Sequence, residues 1–333
     1  MSDQARLIRM HASDNVAIVA NDGGLPEGAQ VDGLTLRQAV PQAHKVALRD
    51  LAAGDPVRRY DVVIGYAKGP IPAGSWVNES SLDMPQAPDL DGLSRARGVL
   101  AEIEPLEGYT FQGFRNANGS VGTRNILAIT NTVQCVSGIV GHAVERLRRE
   151  VLPRFPNVDD VVALDHTYGC GVAIEASGAA VPIRTLHNIA RNPNFAGSTM
   201  VVSLGCEKLQ PALLFPEAFS AGQGAPVSLV TLQDESHVGF EAMQRSILET
   251  AEKHLARLDT RRRETCPASD LVVGMQCGGS DALSGVTANP ALGHAADLIV
   301  RAGGTVMFSE VTEVRDGIDQ LVRRAAPTTW PVT

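Results

Sequence analysis

Aromatic side chains are scarce: phenylalanine, tryptophan and tyrosine together make up 4% of the chain, so stacking platforms for bases or sugars are not a broad theme. Familiar fingerprints are missing too. No GxxxxGK[ST], HExxH or CxxC occurs anywhere, which removes the P-loop, the helix-borne zinc pair and the dithiol motif from consideration. Gly169-Cys170-Gly171 opens a helix after a strand as a dinucleotide turn would, but Ile174 stands where the third glycine belongs, which argues against a nicotinamide cofactor. No run approaches the roughly 18 uncharged apolar residues that a membrane helix needs, so no membrane partner is expected. The opening MSDQARLIRMHASDNV lacks the apolar core of a signal peptide. Positive charge is short as well: the net charge of −8 leaves no Lys/Arg-rich face and argues against nucleic acid. Five cysteines without regular pairing and without an export signal lead to the expectation of reduced thiols in the cytoplasm.

What is present suits an α/β protein with many tight turns: 44% hydrophobic residues, 20% charged residues and 32 glycines in 333 residues, enough chain for two or three domains. Residues 1–85 read as a small β module, with LIRMH, NVAIVA, HKVALRD, PVRRYDVVIGYA and SWVNESSL as strands between Gly, Pro and Asp turns. Residues 86–112 lack period and read as an extended linker. From about 113 apolar runs alternate with amphipathic stretches. Strands are expected at 125–132, 161–165, 199–204, 227–232, 271–276 and 304–309, and helices at 137–150, 172–190, 239–258, 287–302 and from about 314. Such alternation implies βαβ units and a mainly parallel sheet. The charged run 259–264, with Arg261-Arg262-Arg263 followed by Glu264, reads as a solvated linker and domain boundary.

Cys135, Cys170, Cys206 and Cys277 each follow a strand-like run, at steps of 35, 36 and 71 residues. In an open parallel sheet every strand ends at one edge, and ligands bind beyond it. The spacing therefore predicts that Cys170, Cys206 and Cys277 lie along one edge of one sheet, where backbone N–H groups favour thiolates, with the charged run at 259–264 leaving open the alternative that Cys277 belongs to a different sheet from the other two. Cys266 reads as structural. His166, Glu207, Gln233, Asp234, Gln276, Ser280, Asp281, Glu310 and Glu313 fall at the same strand ends. Such a mixed sulfur, nitrogen and oxygen set suits Fe(II) or another borderline metal better than magnesium or calcium. Arg115, Arg124, Arg184 and Lys208 are placed to grip a carboxylate.

The strings GFRNANGSVGTRN, DHTYGCG, GCEKLQP, QCGGSDALSGVTANPALG and FSEVTE closely resemble the galactarate/altronate dehydratase family, and HASDNVAIVA resembles the opening of its SAF-type β-clip domain. The resemblance implies an iron-dependent hydro-lyase acting on a sugar diacid, galactarate to 5-dehydro-4-deoxy-glucarate. It also implies a β-clip domain at 1–85, a dimerising second domain at 113–260 and a Rossmann-like C-terminal domain at 265–333. Galactarate fits the strings RETCPASDLVVGMQCGGSD and LQDESHVGF better than altronate does. Family members extend further, so a shortened C-terminal domain with an exposed apolar sheet edge is expected here. A non-catalytic sugar-acid binder is the rival to a working dehydratase.

Dehydration beside a carboxylate needs a base for the α-proton, an acid for the departing β-hydroxyl and charge stabilisation of the enediolate. His166 and Lys208 are the catalytic candidates, His166 as base or acid. Cys170, Cys206, Cys277 and Glu310 are the candidate Fe(II) ligands. Arg124, His11, Asp14, Asn15, Ser280 and Asp281 are candidates for substrate binding, with Arg124 or Lys208 meeting the distal carboxylate. A small-molecule diacid and a second copy of the chain are the expected partners.

Overall fold

The computed structural model describes residues 4–86, 103–168, 173–196, 199–216, 228–276, 278, 281, 283–310, 312, 314, 318, 321 and 322. Two compact units are distinguished: Glu107–Leu271, and a unit made of Met1–Leu106 with Val272–Thr333. Cys170, Cys277 and Ser280 lie outside the described residues.

Residues 4–86 are all β apart from one 3-10 turn at Glu79–Ser81. Leu7–Ile8, Val16–Val19, Lys45–Ala47 and Trp76–Val77 form one antiparallel sheet, and Pro56–Arg59, Val62–Ala67 and Leu82–Asp83 form another. All four residues of Val16–Val19 are buried, because the first sheet is covered on both faces. Val16 and Ala47 pack with Leu51, Val57, Ala67 and Val77, while Ala17, Val19 and Val46 pack with Leu25, Leu36 and Val40. Successive side chains of a strand point to opposite faces, so one apolar run feeds two cores.

PVRRYDVVIGYA, expected as one strand, is a hairpin. Tyr60 and Asp61 both take positive φ, 55° and 59°, and turn the chain between Pro56–Arg59 and Val62–Ala67. Neither is glycine or asparagine, so no turn signal marks the site, and each left-handed residue costs about 1–2 kcal/mol. The compensation is distant in sequence. Asp14 Oδ1 accepts from Asp61 N at 3.0 Å, and Ser13 Oγ donates to Asp61 Oδ1 at 2.6 Å.

In the unit Glu107–Leu271 a parallel sheet has the spatial order Asp160–Leu164, Ile126–Asn131, Thr199–Ser203, Leu229–Thr231. Ile126–Asn131 is buried throughout, as a central parallel strand must be. Leu127, Ile129, Met200, Val202 and Val230 face Ser137–Arg146, its continuation through a π-helical turn at Leu147–Val151, and Phe240–Leu258. The last helix places Ile247, Ala251, Leu255 and Leu258 in that core at helical spacing. Ala190 of the helix Ala180–Ala190 packs with Val201, Leu209, Leu214 and Phe215 on the other face. That helix begins later than the expected 172.

The charged run is exposed at Arg262, Arg263 and Glu264, yet it is also anchored to this unit. Glu264–Pro267 pairs antiparallel with Thr110–Arg115, Gly113 opposite Glu264, which places it inside this unit. The guanidinium carbons of Arg261 and Arg263 lie 5.3 and 4.6 Å from the centroid of the Phe114 ring, and Phe114 is buried. Arg263 also donates to the carbonyls of Gln112 and Thr123 at 2.9 and 2.8 Å. Cys266 is fully buried, in keeping with a structural cysteine.

Beyond residue 271, Val272–Met275 and Thr305–Phe308 form, among the described residues, a separate two-stranded parallel pair joined by the helix Ala288–Arg301. The strand leading to Cys277 therefore belongs to a different sheet and a different unit from the strand leading to Cys206. This overturns the expectation of one shared sheet edge: similar local sequence marks a strand end but does not say which sheet the strand joins.

Candidate functional site

In the four-stranded sheet, Ile126–Asn131 and Thr199–Ser203 are neighbours whose following helices lie on opposite faces. That arrangement opens a crevice at their carboxyl ends. Thr132 leaves the first strand into it, and the loop Leu204–Lys208 leaves the second.

Glu207 joins the two. Its carboxylate is buried and accepts from Leu204 N at 3.2 Å, from Gly205 N at 2.6 Å and from Thr132 Oγ1. Buried charge is tolerated only where such donors replace water. Gly205 makes the turn possible with φ of 123°, and a Cβ there would come within 3.2 Å of Thr231 Cγ2. In the sequence Glu207 stands at a strand end with no assigned role; the signal that marks it is an acid directly after a strand-end Gly-Cys pair.

His166 is buried beside this crevice with both ring nitrogens engaged. Tyr168 N donates to Nδ1 at 3.2 Å, which leaves Nε2 to donate to the Asn131 carbonyl at 3.1 Å. This pair of bonds selects the neutral Nε2–H tautomer. Burial also lowers the pKa of His166, against smaller raising effects from its bond to Asn131 and from Asp165. The ring holds the ends of Ile126–Asn131 and Asp160–Leu164 together, and Gln134 N completes the clasp by donating to Tyr168 O at 2.9 Å.

A pocket beside these residues is lined by Thr132, Tyr168, Ile183, Leu186, Glu207 and Lys208, among others. Its walls are largely apolar. Lys208 is exposed there, and Cys206 and Cys135 are exposed free thiols. Arg124 lies elsewhere: it precedes the strand Ile126–Asn131, and its backbone N donates to Asn194 Oδ1 at 3.0 Å. It thus sits at the amino edge of the sheet, away from His166, Cys206 and Lys208. The strand's direction decides this, and a motif string does not reveal it.

The remaining described candidates belong to the other unit. Asp14 is a turn cap: Oδ2 accepts from His11 N at 2.9 Å and Oδ1 from Asp61 N at 3.0 Å. Asn15 is spent on backbone, donating to Pro56 O at 2.8 Å and accepting from Arg58 N at 2.8 Å. His11 is exposed, with Nδ1 at 2.7 Å from Ser13 Oγ. Replacing Asp14 with alanine would strand two backbone N–H groups and release the strained Tyr60-Asp61 turn. The expected loss is about 2–3 kcal/mol of stability in chemical denaturation; a loss below about 0.5 kcal/mol would show that the cap is dispensable. Asp281 Oδ1 accepts from Leu283 N at 2.9 Å, and both Asp281 and Glu310 follow strands of the two-stranded pair. Among the described residues no group of three or more His, Cys, Asp or Glu side chains is gathered as a metal would require.

Comparison with known proteins matches three family models along the chain. Residues 5–85 match the altronate/galactarate dehydratase SAF domain, 113–259 the second domain of D-galactarate dehydratase/altronate hydrolase, and 268–330 the C-terminal domain of D-galactarate/altronate dehydratase. Galactarate dehydratase (L-threo-forming) of Escherichia coli (strain K12) is 58% identical over 96% of this chain and 61% of its own length. Altronate dehydratase of the same organism is 38% identical over 95% of this chain and 62% of its own length. Altronate dehydratase of Bacillus subtilis (strain 168) is 32% identical over 96% of this chain and 62% of its own length. The chain thus spans about six-tenths of the length of these curated relatives.

Proposed function

The chain belongs to the D-galactarate/altronate dehydratase family, and from that premise we propose that it serves the dehydration of a sugar acid, the diacid galactarate in preference to the monoacid altronate. The observation that carries this reading is the contrast in identity, 58% to the galactarate enzyme against 38% and 32% to the two altronate enzymes. In the reaction the Cα–H bond breaks to a base and the Cβ–O bond breaks as the hydroxyl leaves protonated. Water departs, and the enol so formed tautomerises to the 2-keto acid.

Within the described residues Lys208 is the group best placed to meet a substrate carboxylate, being the exposed cation at a strand-end pocket. His166, neutral and bonded at both nitrogens, holds the loops that shape that pocket; to act as a base it would have to give up a bond to Tyr168 or Asn131. The α/β region is read as Rossmann-like from its open parallel sheet with helices on both faces, and a cytoplasmic homodimer completes the proposal. Iron is proposed from donor chemistry alone, the thiol of Cys206 with those of Cys170 and Cys277 and the Glu310 carboxylate. The described residues do not fit such a site by themselves: among them no three such donors gather. No step is therefore drawn through the metal.

The test is turnover of galactarate by this chain, anaerobically and with Fe(II), beside the Escherichia coli relative. Product that is abolished by chelation or air and restored by Fe(II) is the expected result. Lys208→Ala should then raise KM for galactarate about tenfold or more with a smaller change in kcat, and Lys208→Arg should recover most of it. Binding of galactarate without turnover, while the relative turns over, would favour a sugar-acid binder instead. The observation behind that second reading is the C-terminal sheet, which has only two strands among the described residues.

A further inference from the structure

At the amino edge of the four-stranded sheet, opposite the crevice, lies a cavity of about 270 Å³ lined by Arg115, Asn116, Ala117, Arg257, Thr260 and Arg261, among others. One wall is the turn within GFRNANGSVGTRN. There Asn116 N donates to Ser120 O at 2.8 Å and Gly119 N to Asn116 O at 2.9 Å, between the strands Thr110–Arg115 and Val121–Gly122. The other wall is the end of the helix Phe240–Leu258 with the residues after it. The crevice uses none of these residues.

Three of the lining side chains are arginines, and among the described residues no carboxylate lines the cavity. Nearby acids are engaged elsewhere. Glu264 and Asp270 hold Arg115 at 2.7 and 2.9 Å, Asp159 holds Arg263 at 3.6 Å, and Asp259 accepts from Asn157 N at 2.8 Å. Arg257 Nη2 donates to His254 Nδ1 at 3.1 Å. Arg261 is half-buried, burial lowers its pKa, and all its partners are neutral: Asn125 Oδ1, Asn116 Oδ1, the Arg115 carbonyl and the Phe114 ring. The three acceptors occupy at most three of its five N–H groups. The helix end does not account for this cation, since Arg262 Nη1 meets the Asp259 carbonyl there at 2.6 Å. A guanidinium deprived of water and given no counter-charge is costly, and an anion in the cavity offsets that cost.

We propose that this cavity binds a small oxyanion carrying two negative charges, a phosphate or a dicarboxylate, with Arg261 as its main ligand and Arg115 and Arg257 beside it. The planar guanidinium fork matches either oxyanion, and a ring of cations favours a dianion over chloride or a single carboxylate. The bound ion braces the turn 116–119 against the residues that follow the helix Phe240–Leu258. It lies at the sheet edge away from Glu207, His166 and Lys208, so it is a second site and not part of the strand-end pocket.

The experiment titrates the full chain calorimetrically with inorganic phosphate and, separately, with succinate, at low ionic strength. Binding, not turnover, is read out, so failure of the proposed reaction leaves the result untouched. At least one probe should bind with Kd below about 1 mM. Phosphate alone identifies a phosphoryl ligand, succinate alone a dicarboxylate, and both together a site that selects on charge; each outcome supports the proposal. Ala117→Glu introduces a carboxylate among the arginines from an exposed position and leaves every arginine in place. It should weaken binding about tenfold or more with the circular dichroism spectrum unchanged. Thr260→Glu, exposed on the opposite wall, serves if that variant does not fold. Heats no larger than those of a chloride control at matched ionic strength would overturn the proposal. So would binding that the introduced carboxylate leaves intact, because the ion would then sit elsewhere.

Discussion

Replacing Asn125 with leucine should destabilise the unit Glu107–Leu271 by about 3–5 kcal/mol. Asn125 is fully buried, and its amide group joins pieces of chain that are remote in sequence. Nδ2 donates to the carbonyls of Asn157 at 2.7 Å and Leu258 at 2.9 Å, and Oδ1 accepts from Arg261 Nη1 at 3.0 Å. Arg261 in turn reaches Asn116 Oδ1 at 2.7 Å and lies over the Phe114 ring. Burial lowers the pKa of Arg261, so it is a cation already deprived of some water. Leucine would remove all three bonds: the Asn157 carbonyl would lose its donor from this amide, while Leu258 O would keep Arg261 N at 3.0 Å and the half-buried guanidinium would keep only Asn116, the Arg115 carbonyl and the Phe114 ring. Asn125→Asp separates these losses, since it keeps the acceptor for Arg261 and removes only the two donors. Urea unfolding at neutral pH is the measurement. A loss under about 1 kcal/mol for the leucine variant would mean the knot contributes nothing beyond an average surface contact.

Acid should weaken the same unit through His254, by about 3 kcal/mol between pH 7 and pH 4. The ring is buried under the sheet on the helix Phe240–Leu258, and its pKa is lowered to about 4, first by burial and second by the nearby charge of Arg257. Arg257 Nη2 donates to Nδ1 at 3.1 Å, so the neutral ring donates from Nε2 to Ser228 Oγ at 2.6 Å. The unfolded chain takes up a proton near pH 6.5, while the folded chain resists until about pH 4. Between those values the unfolded state binds more protons. Stability is therefore full above pH 6.5, falls as pH drops through the window and levels off below pH 4 as far as this group is concerned. His166, whose pKa burial also lowers, contributes with the same sign. Comparing parent and His254→Gln by denaturant unfolding across this range cancels the carboxylates common to both. Equal pH slopes in the two proteins would remove His254 as the cause, and the imidazole proton resonances would show directly whether it titrates near 4.

Sequence alone determined what depends on neighbours along the chain. The runs ILAIT and MVVS announced buried strands, the apolar spacing of 240–258 announced a helix, and dense turn signals announced an N-terminal β module. Long motif strings placed the chain in its family, and Cys266 was read as structural. Strand ends were also legible, which is why Glu207, His166 and Lys208 were found at one carboxyl edge. Tertiary structure decided whatever depends on a partner far away in sequence. The Tyr60-Asp61 turn carries no glycine, and Asp14 and Ser13 hold it from 47 and 48 residues away. Arg261 and Arg263 look like a solvated run until Phe114 and Asn125 arrive beside them. Arg124 looked like a ligand for carboxylate, yet the direction of its strand puts it at the other edge. Similar strand-then-cysteine strings at 206 and 277 belong to two sheets. Period and propensity are local properties that a chain displays residue by residue, whereas desolvation, strand pairing and charge compensation are set by which remote groups meet when it folds.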